Sequence, residues 1–260
     1  MIAKNIAAII EELAPLNVQE PWDNAGFTVG NPATEVKGVL LCVDVTPEII
    51  DEAVAKGANM VISHHPAIFD GLKRLTGVSH TERVVEKAIK NNILLYSAHT
   101  NLDSVPQGVN WAIAGQLGLT DVQVLSPGVA GNGTGSGVVG DLPKPIPIGE
   151  WIEFLKHTFS IPYVRHSRFC THGVQRIAVC GGSGAFLMDD AIQAGAHCFV
   201  SAEFKHHHFY EAGNRILIAD VGHYESEKCV LSIFFELLTK KMPNFAIQIA
   251  EKIHNPVIYC

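Results

Sequence analysis

The sequence contains no run of eighteen apolar residues, so no membrane-spanning helix is expected. It has no C-x-x-C pair. Its six cysteines (Cys42, Cys170, Cys180, Cys198, Cys229 and Cys260) fall mostly in apolar strand-like or helical stretches and read as buried free thiols in a reducing compartment. Positive charge is scarce as well: 19 Lys and Arg face 26 Asp and Glu, for a net charge of -7. Phosphate contacts need clustered basic side chains, so a general nucleic-acid partner is not expected. The opening Met1-Ile2-Ala3-Lys4-Asn5 runs into an amphipathic pattern with Glu11 and Glu12, which is wrong for a signal peptide. The expectation is a cytoplasmic protein with no membrane partner.

What the chain has in abundance is histidine, thirteen residues in 260. Hydrophobic content of 47% and charged content of 17% suit an ordinary globule of one large α/β unit or two joined lobes. Ile2, Ile6, Ile9, Ile10 and Leu13 recur at helical spacing. Residues 39–44 form an apolar strand ending at Asp44, and Thr46-Pro47-Glu48 opens a helix with an N-cap and Pro in the first turn. After a Gly57 turn, Met60-Val61-Ile62 reads as a buried strand ending in Ser63-His64-His65-Pro66. Adjacent side chains on a strand point to opposite faces. The simplest use of both rings is therefore one metal each, with two ions side by side at the C-terminal edge of a sheet. A helix over 81–90 and a strand over 93–97 then deliver His99 and Asp103 to the same edge, where open α/β sheets bind ligands. Ahead of these elements, Asp23 and Asn24 read as an Asx turn.

The second half repeats the first. Residues 51–63 (DEAVAKGANMVIS) align with 189–201 (DDAIQAGAHCFVS). Each copy follows a strand ending near Cys42 or Cys180, and each precedes a strand leading to His99-x-x-x-Asp103 or His223-x-x-x-Glu227. A duplication of this kind sets both groups of strand ends about a pseudo-twofold axis. The fold expected is two similar α/β lobes related by internal duplication, with a metal cleft between them at the strand C-terminal edges. The Gly- and Pro-rich tract at 126–149 is taken as the boundary, giving a first lobe over 1–125 and a second over 126–260. Within it, Gly135-Ser136-Gly137-Val138-Val139-Gly140 matches G-x-G-x-x-G, but Asp141-Leu142-Pro143-Lys144-Pro145 cannot open a helix, so a dinucleotide site is rejected. Glu225 is assigned to the dipole of the helix that follows and kept out of the site.

Several motifs carry a resemblance over essentially the whole chain. They are Trp22-Asp23-Asn24-x-Gly26 with Val29-Gly30, Ser63-His64-His65-Pro66-x-x-Phe69, His99-x-Asn101-x-Asp103, Cys180-Gly181-Gly182-Ser183-Gly184, Glu203-x-Lys205-x-His207 and Gly222-His223-x-x-Ser226-Glu227. Together they resemble the GTP cyclohydrolase type-2 homologue family, the YbgI-like or NIF-three-like dinuclear metal proteins. The resemblance implies two divalent metals held by His64, His65, Asp103, His223 and Glu227, with His99 close by, and a homohexameric ring; the chain leaves no room for the extra domain that some relatives insert between the lobes. It departs at His208, where the family often has Asp.

Imidazole and carboxylate donors without thiolate suit Zn, Fe or Mn. Two such ions would activate a shared water for hydrolysis of a small-molecule substrate. His99 is the candidate catalytic residue for proton transfer, with His206 and His207 as further candidates. Gly182 and Ser183 lie in a glycine loop that reads either as a phosphate cradle or as a tight turn. Together with Asn24, Lys205, His206 and His207 they complete the candidate substrate-binding set, while Lys73 and Arg74 could assist with a phosphorylated substrate. Two functions remain open: a metal-dependent hydrolase of a nucleotide or related heterocycle, and a non-catalytic metal-binding ring acting in protein interaction or metal handling.

Overall fold

The computed structural model describes residues 1–128, 131, 133–169, 172–253 and 255–258. Of the six cysteines, Cys170 and Cys260 lie outside the described residues; Cys42, Cys180, Cys198 and Cys229 are buried free thiols. The chain forms two compact units, one of Met1–Leu102 with Val230–His254 and one of Asp103–Cys229 with Asn255–Cys260.

In the first unit, β1 (Gly26–Val29), β2 (Val39–Cys42), β3 (Met60–Ser63) and β4 (Leu94–Ser97) lie in the order β1-β4-β3-β2. β2, β3 and β4 run parallel in register, Cys42 opposite Ser63 and Ser63 opposite Ser97, while β1 closes one edge antiparallel. All twelve residues of β2, β3 and β4 are buried, the mark of a parallel sheet covered on both faces. The helix Pro47–Ala55 begins where expected, with Thr46 Oγ1 accepting the Ile49 N–H at 3.3 Å. Gly57, at φ +72°, turns its end back toward β3.

The second unit builds its sheet from β5 (Thr120–Pro127), β6 (Gly135–Pro147), β7 (Arg165–His166), β8 (Gly173–Ser183), β9 (Cys198–Ala202) and β10 (Leu217–Asp220), ordered β5-β6-β8-β9-β10-β7. β8, β9 and β10 repeat the parallel core of the first unit, and β7 closes the edge antiparallel beside β10 as β1 does beside β4. Gly195, at φ +73°, ends the intervening helix Met188–Gln193 as Gly57 ends its counterpart. The duplication read from the sequence is therefore present in the strand order itself.

The copies differ on their other flank. The first sheet ends in β11 (Ile247–Ile249), parallel to β2, and the second in the antiparallel pair β5 and β6. The glycine- and proline-rich tract contributes to that pair and lies inside the second unit. The helix Val230–Lys241 and β11, placed by sequence in the second lobe, belong to the first unit, where Lys241 Nζ reaches Glu12 at 2.7 Å. Among the described residues no helix is long and apolar enough to cross a membrane.

Candidate metal centre

The parallel register of the first sheet dictates what meets at its edge. Cys42, Ser63 and Ser97 lie in one row, so two residues further on Asp44, His65 and His99 leave neighbouring strand ends together. His65 Nδ1 lies 2.7 Å from Asp44 Oδ1, and the His65 and His99 ring centroids are 5.5 Å apart. His64 joins them, its ring 5.0 Å from that of His65 and 5.2 Å from that of His99. The side-chain nitrogens of the three rings fall within 4.8 Å of one another. This corrects the expectation that His64 and His65 diverge. β3 ends at Ser63, and beyond it the regular alternation of side chains no longer applies. Ser63 Oγ donates to the His65 carbonyl at 2.7 Å, bending the chain so that both rings come to one side.

Each ring is held at the same atom. His64 Nδ1 faces the Ala98 carbonyl at 2.9 Å, His65 Nδ1 faces Asp44, and His99 Nδ1 lies 2.8 Å from Asp23 Oδ1. With Nδ1 fixed on oxygen, Nε2 is the nitrogen each ring presents to a metal. The donor chemistry thus fits a divalent ion. His64 is fully buried and His99 nearly so. The Asp23 side chain is fully buried. Burial opposes its ionisation, but hydrogen bonds from His99 and Thr100, with the His99 charge and the Asn24 N–H, outweigh that and bring its pKa down to about 2. In place of the Asx turn expected at Asp23, its Oδ1 accepts the N–H of the next residue, Asn24, at 2.7 Å, while the Ala25 N–H goes to Gln19 Oε1 at 2.9 Å. The same carboxylate is also the orienting partner of His99, a role the sequence reading missed.

The second unit sets His223 and Glu227 on one turn of the helix His223–Glu227, with His223 Nε2 3.0 Å from Glu227 Oε2. His223 Nδ1 lies 3.0 Å from Glu203 Oε1, so its second nitrogen is also oriented by a carboxylate. Gly182, at φ +60°, packs directly beneath this pair: a Cβ there would collide with the Glu227 carboxylate. Asp103 ends the helix Thr100–Asp103 and opens the second unit. Cys180 and Cys229 lie close enough to Asp103 and Glu227 to feel their charge; burial chiefly, then those carboxylates, raises both thiols, Cys229 to about 12.

The remaining candidates fall into place as follows. The Gly181 N–H is taken by Asn110 Oδ1 at 2.9 Å and the Gly182 N–H by Ser226 Oγ at 3.0 Å, so both amides are satisfied within the unit as in a tight turn. Ser183 ends β8 and is exposed. Asn24 Nδ2 donates to the Ile68 carbonyl at 2.8 Å and pins two loops together. Lys205 precedes the helix His206–Ala212, and His206 and His207 occupy its first turn. His208 caps that helix, its Nδ1 accepting the Lys205 N–H at 3.0 Å as a carboxylate at the third helical position does.

Two α/β units with a shared strand order, one carrying a triad of imidazoles of which two are buried, define a two-lobed α/β protein with side chains that could hold a metal ion. The chain belongs to the family described as Duf34/NIF3 (NGG1p interacting factor 3), whose model matches residues 1–256. A Clostridium acetobutylicum protein named GTP cyclohydrolase 1 type 2 homolog is 32% identical over 226 residues, covering 86% of this chain and 84% of the relative. One of the same name from Campylobacter jejuni is 30% identical and covers both chains completely. Among solved structures, a Staphylococcus aureus protein, SA1388, superposes with a TM-score of 0.91 at 25% identity, covering 100% of this chain and 99% of that one. Reduced HcgD from Methanocaldococcus jannaschii gives 0.82 at 26% identity, covering 96% and 98%.

Proposed function

We propose that the chain binds two divalent metal ions and uses them in hydrolysis of a nucleotide or related heterocycle. The observation that carries the reading is the common anchoring of His64, His65 and His99 through Nδ1, which turns three Nε2 atoms into one donor face. His223, Glu227 and Asp103 are the donors assigned to the second unit. Bound ions of this kind supply Lewis acidity and favour the ionised form of water. Within that setting Asp23 fixes the tautomer and direction of His99, which is the group assigned to proton transfer. Asp44 does the same for His65. The substrate class rests on the names of the relatives and on the ligand type. A hexameric ring in the cytoplasm belongs to the same proposal and rests on family resemblance; sedimentation of the untagged protein checks the assembly.

Elemental analysis of untagged protein tests the metal reading directly. About two ions per chain are expected, falling in both His64→Ala and Glu227→Gln. Hydrolysis of a nucleotide panel should then depend on the metal and on His99. Wild-type protein that retains no metal and cannot be reloaded would sink the proposal. Stoichiometric metal with no turnover on a broad panel would favour the non-catalytic role.

A further inference from the structure

An aromatic ledge borders the imidazole cluster. Trp22 is 61% exposed and Phe69 is 45% exposed, although both are large apolar side chains. Neither is loosely placed. Their rings stack with centroids 6.0 Å apart and planes inclined by 19°, and each meets the His99 ring nearly at right angles, at 6.0 and 5.3 Å. The two loops that carry them are joined by the Asn24 bond to Ile68, and Trp22 adjoins the carboxylate that anchors His99. The ledge is thus held by the network that holds the cluster. Phe69 also forms one wall of a hollow of about 340 Å³, whose loop residues include Asp70, Lys73 and Arg74. That volume is in the range of small-molecule sites, about 300–1,000 Å³. The Glu82 carboxylate reaches the hollow too, but it is buried and turned onto Thr76, Val78 and Ser79, while Lys73 and Arg74 are exposed.

The geometry points to a base-stacking subsite in which the planar ring of a nucleoside monophosphate lies on Trp22 and Phe69 beside His99, with its phosphate toward Lys73 and Arg74. This deepens the proposed function and rests on it for the substrate class. Stacking on exposed aromatic side chains recognises any base by its π-face, and an adjoining cation supplies the anion contact. A purely apolar protein partner would use the ledge but make no use of Lys73 and Arg74 beside it.

Calorimetric titration with GMP, AMP, guanosine and ribose 5-phosphate, on both metal-stripped and metal-loaded protein, tests the subsite. A nucleoside monophosphate should bind at least about tenfold tighter than ribose 5-phosphate. Trp22→Ala should weaken that binding by about tenfold or more, while Trp22→Phe keeps most of it. A Lys73→Ala, Arg74→Ala double variant should weaken nucleotide binding and leave guanosine unchanged. Equal binding of ribose 5-phosphate, an unaltered affinity in Trp22→Ala, or no binding in either metal state overturns the subsite. Nucleotide binding by protein that retains no metal would leave the subsite standing while the hydrolase reading falls; retained metal without nucleotide binding would do the reverse.

Discussion

The two units place different chemistry on one backbone frame. Ser63 and Ser201 occupy corresponding places in β3 and β9, so His64 and His65 stand where the second unit has Ala202 and Glu203. His99 and Asp103 correspond to His223 and Glu227, and Asp44 corresponds to Gly182. In the first unit the ring nearest His99 across the strand ends is another imidazole, and the carboxylates of Asp23 and Asp44 stand behind the rings at Nδ1. In the second, His223 has carboxylates at both nitrogens. The first unit offers imidazole nitrogens with their carboxylates held behind them at Nδ1; the second brings a carboxylate directly into its donor pair. What makes the second arrangement possible is an absence, since the missing side chain at Gly182 is the space that Glu227 fills.

The largest effect is expected where that absence is reversed. Gly182→Ala puts a methyl group into the Glu227 carboxylate and a side chain at φ +60°. We expect a loss of about 2–4 kcal/mol from overpacking and left-handed strain, read by urea denaturation. Glu227→Ala should restore much of that stability in the double variant, because the collision is then gone. No such recovery would mean that the glycine serves the backbone alone. Next in size are the anchoring carboxylates, Asp44→Asn in the first unit and Glu203→Gln in the second. Each should weaken metal binding by about 10–100-fold without removing a donor. A loss confined to one of the two would break the analogy between the units at its centre.

Much of this is legible in the chain alone. The repeat of 51–63 in 189–201 implies the parallel strand order of both sheets, because a Gly-terminated helix between two short apolar runs leaves little choice but a crossover. The edge location of His64, His65, His99 and His223 follows from where those apolar runs stop. The unit boundaries at 102 and 230 are not legible, since the helix Val230–Lys241 and β11 look no different in sequence whichever sheet they join. The convergence of His64 and His65 escapes the sequence reading too, because the rule of alternating faces does not hold past the end of the strand. Asp44 could have been found. With β2 and β3 read as parallel and both ending at a small residue, Asp44 and His65 sit at the same distance beyond the ladder. Asp23 could not, because its contact with His99 spans 76 residues and depends on how the turn before β1 folds back.

Smaller effects are expected at the helices that connect the last two strands of each repeat. In His80–Lys90 the third residue, Glu82, accepts from the Thr76 hydroxyl and the backbone of Thr76 and Val78. These bonds, that of the Thr76 hydroxyl foremost, lower its pKa from 4.5 to about 2. A carboxyl with a depressed folded-state pKa takes up its proton more readily when unfolded, so its contribution is complete above about pH 4.5 and is lost as the pH falls through about 2. Glu82→Gln should therefore flatten the acid limb of the stability curve in that window, and parallel curves for variant and wild type would count against it.

The corresponding helix of the second unit, His206–Ala212, has His208 at the same third position, and the imidazole does by accepting one hydrogen bond what Glu82 does by accepting several. His208→Ala should cost about 0.5–1 kcal/mol in urea denaturation, the low end of a lost cap. His208→Asp should recover the wild-type value, since a carboxylate at this position can accept the same Lys205 N–H and also complements the helix dipole. If Ala and Asp instead behaved alike, the imidazole would be idle as a cap, and the parallel between the two connecting helices would stop at their position in the chain.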